Sequence, residues 1–265
     1  MSGLFVAYGG LSNVGKTEQS RKLYAELCKI PALYGQVYLF ETEAATEIGK
    51  EIKELIVKYR NKPHSMTAIT EVLLHMAKRA ELYKMIKQLL AQGKIVICVH
   101  SPHSTLAYQG YGEKVDKGVI RSISEYATGG LFPQHPEIVI FPYRDKIIYS
   151  DPEFKFSAAQ LQVIQNGFLE MAKKDHRRWL PINLDHTQRL FQNCKDKKNF
   201  VFTTWDHKTY KKPVKDYWDI VFEYTYKKVE WALAADLLSI DNENVPIGSI
   251  GEGEISERIK KLSRA

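Results

Sequence analysis

A chain of 265 residues, 44% hydrophobic and 26% charged, carries enough apolar material for one large globular domain or one domain with an appendage. Its formal charge of +7 suits polyanionic partners, nucleotides or nucleic acids. No run approaches the roughly 18 apolar residues that span a bilayer, no secretory signal precedes the first strand, and three scattered cysteines make neither a disulfide framework nor a zinc site, so no membrane association and a cytoplasmic location are expected.

The first predicted element is a buried strand over Leu4–Tyr8, followed within two residues by Gly10-Leu11-Ser12-Asn13-Val14-Gly15-Lys16-Thr17. That stretch matches G-x-x-x-x-G-K-[ST] without a gap. Its glycines let the backbone wrap a phosphate, with N–H groups and a helix N-terminus aimed at the anion. Lys16 is placed to reach the β- and γ-phosphates of ATP, and Thr17 to put its hydroxyl on a magnesium ion. Helical periodicity over 16–29 completes the strand–loop–helix context that the motif requires.

A short apolar strand over 36–40 comes next, then helical patterns over 47–60 and 65–92, the second long and amphipathic. A strand over 94–99, a helix over 116–130 and a strand over 138–142 follow. Strands separated by helices predict an α/β fold of the P-loop NTPase kind, a parallel sheet with helices on both faces. Ligands in such sheets sit at the carboxyl ends of the strands. The P-loop, the segment "ETEAAT" after the second strand and "HSPHS" after the third are therefore expected on one rim.

Three further stretches carry a resemblance. Ser104, Thr105, Ala107, Tyr108, Gln109 and Gly110 match, in register, a D-R-[YF]-x-x-S-[ST]-x-A-Y-Q-G segment. Leu73-Leu74-His75-Met76-Ala77-Lys78-Arg79 matches L-L-F-x-A-x-R, and 40–46 aligns with T-R-E-P-G-G-T. With the P-loop, residues 1–185 resemble the thymidylate kinases. The resemblance implies ATP-dependent, magnesium-assisted phosphorylation of a nucleoside monophosphate, dTMP to dTDP, in a protein that forms homodimers. It implies that Arg79 reads the base edge, that His75 stands where a phenylalanine stacks on the base, and that Ser104, Thr105, Tyr108 and Gln109 line the nucleoside pocket.

The departures fall on charged positions. The family's Asp-Arg pair after the third strand is Val99-His100 here, and the arginine of the second loop is Glu41 or Thr42, depending on register. The lid after the fourth strand offers only Arg144 and Lys146. Lys16 and Arg144 are thus the expected catalytic cations, His100 a candidate on the acceptor, and Glu41 a candidate beside Thr17 for the metal. Two other readings stay open: a kinase with a different nucleotide or a nucleic-acid acceptor, and an ATP-binding relative impaired in transfer.

From about residue 195 the texture turns to lysine and aromatic residues. We divide the chain into a P-loop domain over 1–190 and a C-terminal extension over 191–265 packed on it. An alternative stays open, in which the stretch 177–192 is not the last strand–helix unit and the Lys/aromatic segment is an insertion. Trp205, Tyr210, Tyr217, Trp218, Tyr224 and Tyr226 interleave with lysines, a pattern that can stack single-stranded bases. Packing of those aromatics on the domain is the favoured reading.

Overall fold

The stretch from Leu4 to Tyr8 is apolar at every position, which suits a strand covered on both faces. β1 (Leu4–Tyr8) is the middle strand of a five-stranded sheet in a computed structural model that describes residues 3–60, 62, 66–136, 138–149, 156–204 and 207–237. Around it run α1 (Lys16–Cys28), β2 (Val37–Phe40), α2 (Glu47–Arg60), α3 (Ala68–Ala91), β3 (Ile95–Val99), α4 (Pro102–Thr105), α5 (Lys117–Ala127) and β4 (Ile138–Tyr143). Then follow α6 (Ala158–Lys174), β5 (Trp179–Asn183), α7 (Leu184–Asn193), the hairpin strands β6 (Phe200–Thr203) and β7 (Thr209–Lys212), and α8 (Tyr217–Leu237).

The large sheet has the order β2-β3-β1-β4-β5 and is parallel throughout. It is the expected parallel sheet with helices on both faces. The chain leaves β1 for β2 on one side and leaves β3 for β4 on the other, so the order reverses beside β1. Such a reversal opens a crevice at the carboxyl ends of the strands.

Alternation along the strands sends successive side chains to opposite faces. Phe5, Val96 and Cys98 meet Leu82, Tyr83, Ile86 and Leu90 of α3 on one face. Val6, Tyr8 and Ile97 belong to the larger cluster with Leu23 and Leu27 of α1 on the other. Each fully buried Leu or Ile contributes about 1.5–3 kcal/mol relative to exposure, so this sandwich fixes where the strand ends lie.

Residues 177–192 do supply the last strand and helix of the sheet, β5 and α7. The Lys/aromatic stretch forms the β6–β7 hairpin, whose Phe200 and Phe202 make a satellite core with Val214 and Ile220. Tyr210 and Tyr224 pack on that core. Tyr217, Trp218 and Tyr226 pack on the main one, where Val221, Val229 and Leu233 of α8 are buried. These rings are spent on packing. Trp205 and the tail from 238, where a glycine-rich loop and short helix are expected, lie outside the described residues.

Candidate functional site

The loop between β1 and α1 takes its shape from three residues in the left-handed region, Gly10 (φ 116°), Asn13 (φ 61°) and Gly15 (φ 75°). Glycine visits that region freely and asparagine tolerates it. Leu11 and Val14 anchor the loop in the core at 1% exposure each. Lys16 folds back over it, its Nζ donating to the Leu11 carbonyl at 2.5 Å. Tyr149 donates to the Ser12 carbonyl from the segment after β4 (3.0 Å). Thr17, in the first turn of α1, accepts a bond from Ser20 at its own carbonyl (2.8 Å), which leaves its hydroxyl outside that contact.

The P-loop forms one wall of a cavity of about 290 Å³, through Ser12 and Lys16. Glu41, Thr42 and Glu43 line it from the end of β2; His100, Ser104, Thr105, Tyr108 and Gln109 line it from the segment after β3. The expected convergence of three loops on one rim is what the sheet delivers. Leu106–Gly112, which carries Tyr108 and Gln109, is a π-helical turn. Such turns add one residue per turn and are frequent at functional sites. His100 sits at φ 89°, a strained value for a residue with a Cβ.

The remaining walls come from two helix faces. α2 presents Lys53, Ile56, Val57 and Arg60, and α3 presents His75, Lys78 and Arg79. Positions 53, 56, 57 and 60 are i, i+3, i+4 and i+7, one stripe of a helix. Lys53, Arg60 and Lys78 were absent from the sequence-based site. The stripe is legible in the sequence, but which stripe turns toward the crevice depends on how α2 docks on α3.

Arg79 is 1% exposed, so it is no surface arginine. Its Nε and Nη2 donate to the Glu43 carboxylate at 2.7 and 3.0 Å, and both terminal nitrogens reach Thr105 Oγ1 at 3.2 Å. Nη2 also lies 3.4 Å from the Ser101 carbonyl. The guanidinium expected to read a base edge is thus turned onto Glu43 and Thr105. Burial alone would raise the Glu43 carboxyl, but Arg79 and Lys78 outweigh it and hold the group well below the usual carboxylate range.

Beside this pair Glu71 accepts from Arg60 and from Gln109 Nε2, the latter at 3.0 Å. His75 lies against the same carboxylate, 3.5 Å from it. Burial pulls the His75 ring down to about 4, with Glu71 opposing, and pulls His100 down to about 3, helped by Lys16. Both rings are neutral at pH 7. His103, two residues after Ser101, packs edge-on against Phe132 and Trp179.

Two expected participants, Arg144 and Glu41, are engaged in other ion pairs. Arg144 follows β4 and is tied to Asp185 at 2.5 Å, outside the residues that line the cavity. Residues 150–155 of the expected lid lie outside the described residues. Glu41 does line the cavity, but Arg21 holds its carboxylate through bonds of 2.6 and 2.5 Å.

The thymidylate kinase family model matches residues 9–192. The thymidylate kinase of Desulforudis audaxviator is 28% identical over 191 residues, 70% of this chain and 85% of that protein. The thymidylate kinase of Nostoc sp. is 38% identical over 133 residues, 49% of this chain and 61% of that protein. A crystal structure of thymidylate kinase from Ehrlichia chaffeensis, 24% identical, superposes with a TM-score of 0.63 over 86% of this chain and all of its own, which shows a shared fold. With a P-loop, the S-T-x-A-Y-Q-G segment and the α3 motif on one cavity, and a family match that runs from the P-loop through β5 and most of α7, the chain belongs to the thymidylate kinase family.

Proposed function

We propose that the protein phosphorylates dTMP to dTDP with ATP as donor. The observation that carries this reading is that Lys16 of the P-loop and the nucleoside-pocket residues His75, Arg79, Ser104, Thr105, Tyr108 and Gln109 face one cavity. A phosphate oxygen of dTMP attacks the γ-phosphorus in line, the bond to the β-phosphate oxygen breaks, and ADP leaves. Catalysis here is mostly positioning plus stabilisation of spread negative charge. Lys16 follows the β- and γ-phosphates, and the loop N–H groups hold them in place.

Thr17 would offer its hydroxyl, and Glu41 its carboxylate on release from Arg21, as the oxygen donors that magnesium prefers, and the ion would be held mainly by nucleotide phosphates and water. When bound, it neutralises charge on those phosphates. Arg144 takes part only on release from Asp185. We place the protein in the cytoplasm as a homodimer; among the described residues no helix is long and apolar enough to cross a membrane. We treat 1–190 as the catalytic domain and 191–265 as an extension, supported by the packing of α8 against α1, β1, β4 and β5.

ADP release measured over a panel of nucleoside monophosphates tests the reading. dTMP should stimulate turnover most, and Lys16→Ala should abolish it, a loss of at least about a hundredfold. Turnover with another acceptor alone, or ATP binding without turnover, would replace it.

A further inference from the structure

The inference rests on the kinase reading above. A monophosphate acceptor brings a dianion into the cavity beside the triphosphate, and that charge needs a cation with donors to spare. The other basic side chains of the walls are poorly placed to give one. Arg79 is bound to Glu43 and Thr105, and Arg60 to Glu71. His100 and His75 are neutral at pH 7. Lys16 belongs to the P-loop, and Lys53 is exposed.

Lys78 differs from all of these. It is 7% exposed and lines the cavity from α3. An ammonium carries three donors. Among the described residues the one acceptor within hydrogen-bond distance is His75 Nδ1 at 3.3 Å. Glu43 Oε2 is 3.7 Å away and already accepts from Arg79. Burial lowers the Lys78 ammonium below its usual range, with Glu43 opposing, so the charge is held at a desolvation cost that an entering anion would offset. Lys78 and Lys16 both line the cavity, one from α3 and one from the P-loop.

We propose that Lys78 takes the phosphate of the acceptor nucleotide, supplying charge that residues 41 and 100 do not. Thymidine, which has the base and sugar without the phosphate, separates this role from a structural one. In the full chain, dTMP and thymidine affinities are measured by calorimetry for wild type, Lys78→Met and Lys78→Arg. Lys78→Met should lower dTMP affinity by at least about tenfold and leave thymidine within about twofold. Lys78→Arg should keep most of the preference for dTMP.

Equal loss of both ligands in Lys78→Met, or loss of neither, would overturn the assignment. Thymidine binding also reports that the pocket is folded. Should Lys78→Met not fold, Lys78→Gln carries the same comparison. In wild type, dTMP and not thymidine should slow acetylation of Lys78 as read by mass spectrometry; equal protection by both would count against it. A wild type that binds neither ligand overturns the kinase reading and this assignment together. A wild-type preference for dTMP that survives Lys78→Met overturns the assignment alone.

Discussion

Arg79 and Glu43 are 1% and 4% exposed and lie 36 residues apart in sequence, yet they share two charge-assisted bonds. Removing one partner of such a pair leaves a buried charge without compensation, which costs about 3–5 kcal/mol. Arg79→Met should therefore destabilise the fold by that amount in denaturant titration, and Glu43→Gln in the same chain should recover most of it. A single-variant loss under about 1 kcal/mol would mean that water or another cation replaces Arg79. This also changes what an Arg79 variant tests: lost dTMP binding there would report collapse of the Glu43 wall as much as a lost contact to the base.

At the scale of elements, α8 reaches the donor side of the site. A Cβ on Gly15 would lie 2.6 Å from Cη2 of Trp218, so the indole presses on the residue that caps α1. Gln19 donates to the Trp218 carbonyl at 3.4 Å, and Lys22 pairs with Asp219 at 2.6 Å. The same two helices meet where Lys22 lies over the Phe222 ring. Trp218 is thus a positioning residue for the P-loop. Trp218→Ala should raise the KM for ATP by about tenfold, because small displacements of a phosphate cradle are costly. The KM for dTMP should stay within about twofold, and equal changes in both would show a general loss of packing instead. The lysine-rich pattern of this segment is visible in the sequence. Its docking on α1 is not, since Lys22 meets the Asp219 carboxylate and the Phe222 ring only when α8 returns across the sheet.

Across the molecule, three desolvated histidines set the acid limit, His103 buried and His75 and His100 half-buried. Burial pulls His75 to about 4 and His100 and His103 to about 3 in the folded chain, against about 6.5 when exposed in the unfolded one. Between those values the unfolded state binds more protons, so stability is full above pH 6.5 and falls as the pH drops toward 4. Denaturant titrations at pH 7.5 and 5 should differ by at least about 2 kcal/mol. A flat profile over that range would show that the rings are hydrated or cationic in the fold. Glu43 and Glu71, both depressed, add their own loss below about pH 4.5.

Local chemistry was enough to locate the phosphate cradle, because a strand, a G-x-x-x-x-G-K-T loop and a helix are contiguous. The alternation of strands with helices along the chain likewise determined a parallel sheet and the rim on which its loops meet. The sequence also marked Ser104, Thr105, Tyr108 and Gln109 as one group, since a single short segment carries them. What it could not assign is which charges are spent and which are available. The Arg79 guanidinium gains its carboxylate partner only when its helix docks on Glu43, and the same docking buries Lys78. Charge partnership is a matter of distances of 3–4 Å between segments far apart in sequence, and only the tertiary structure sets those distances.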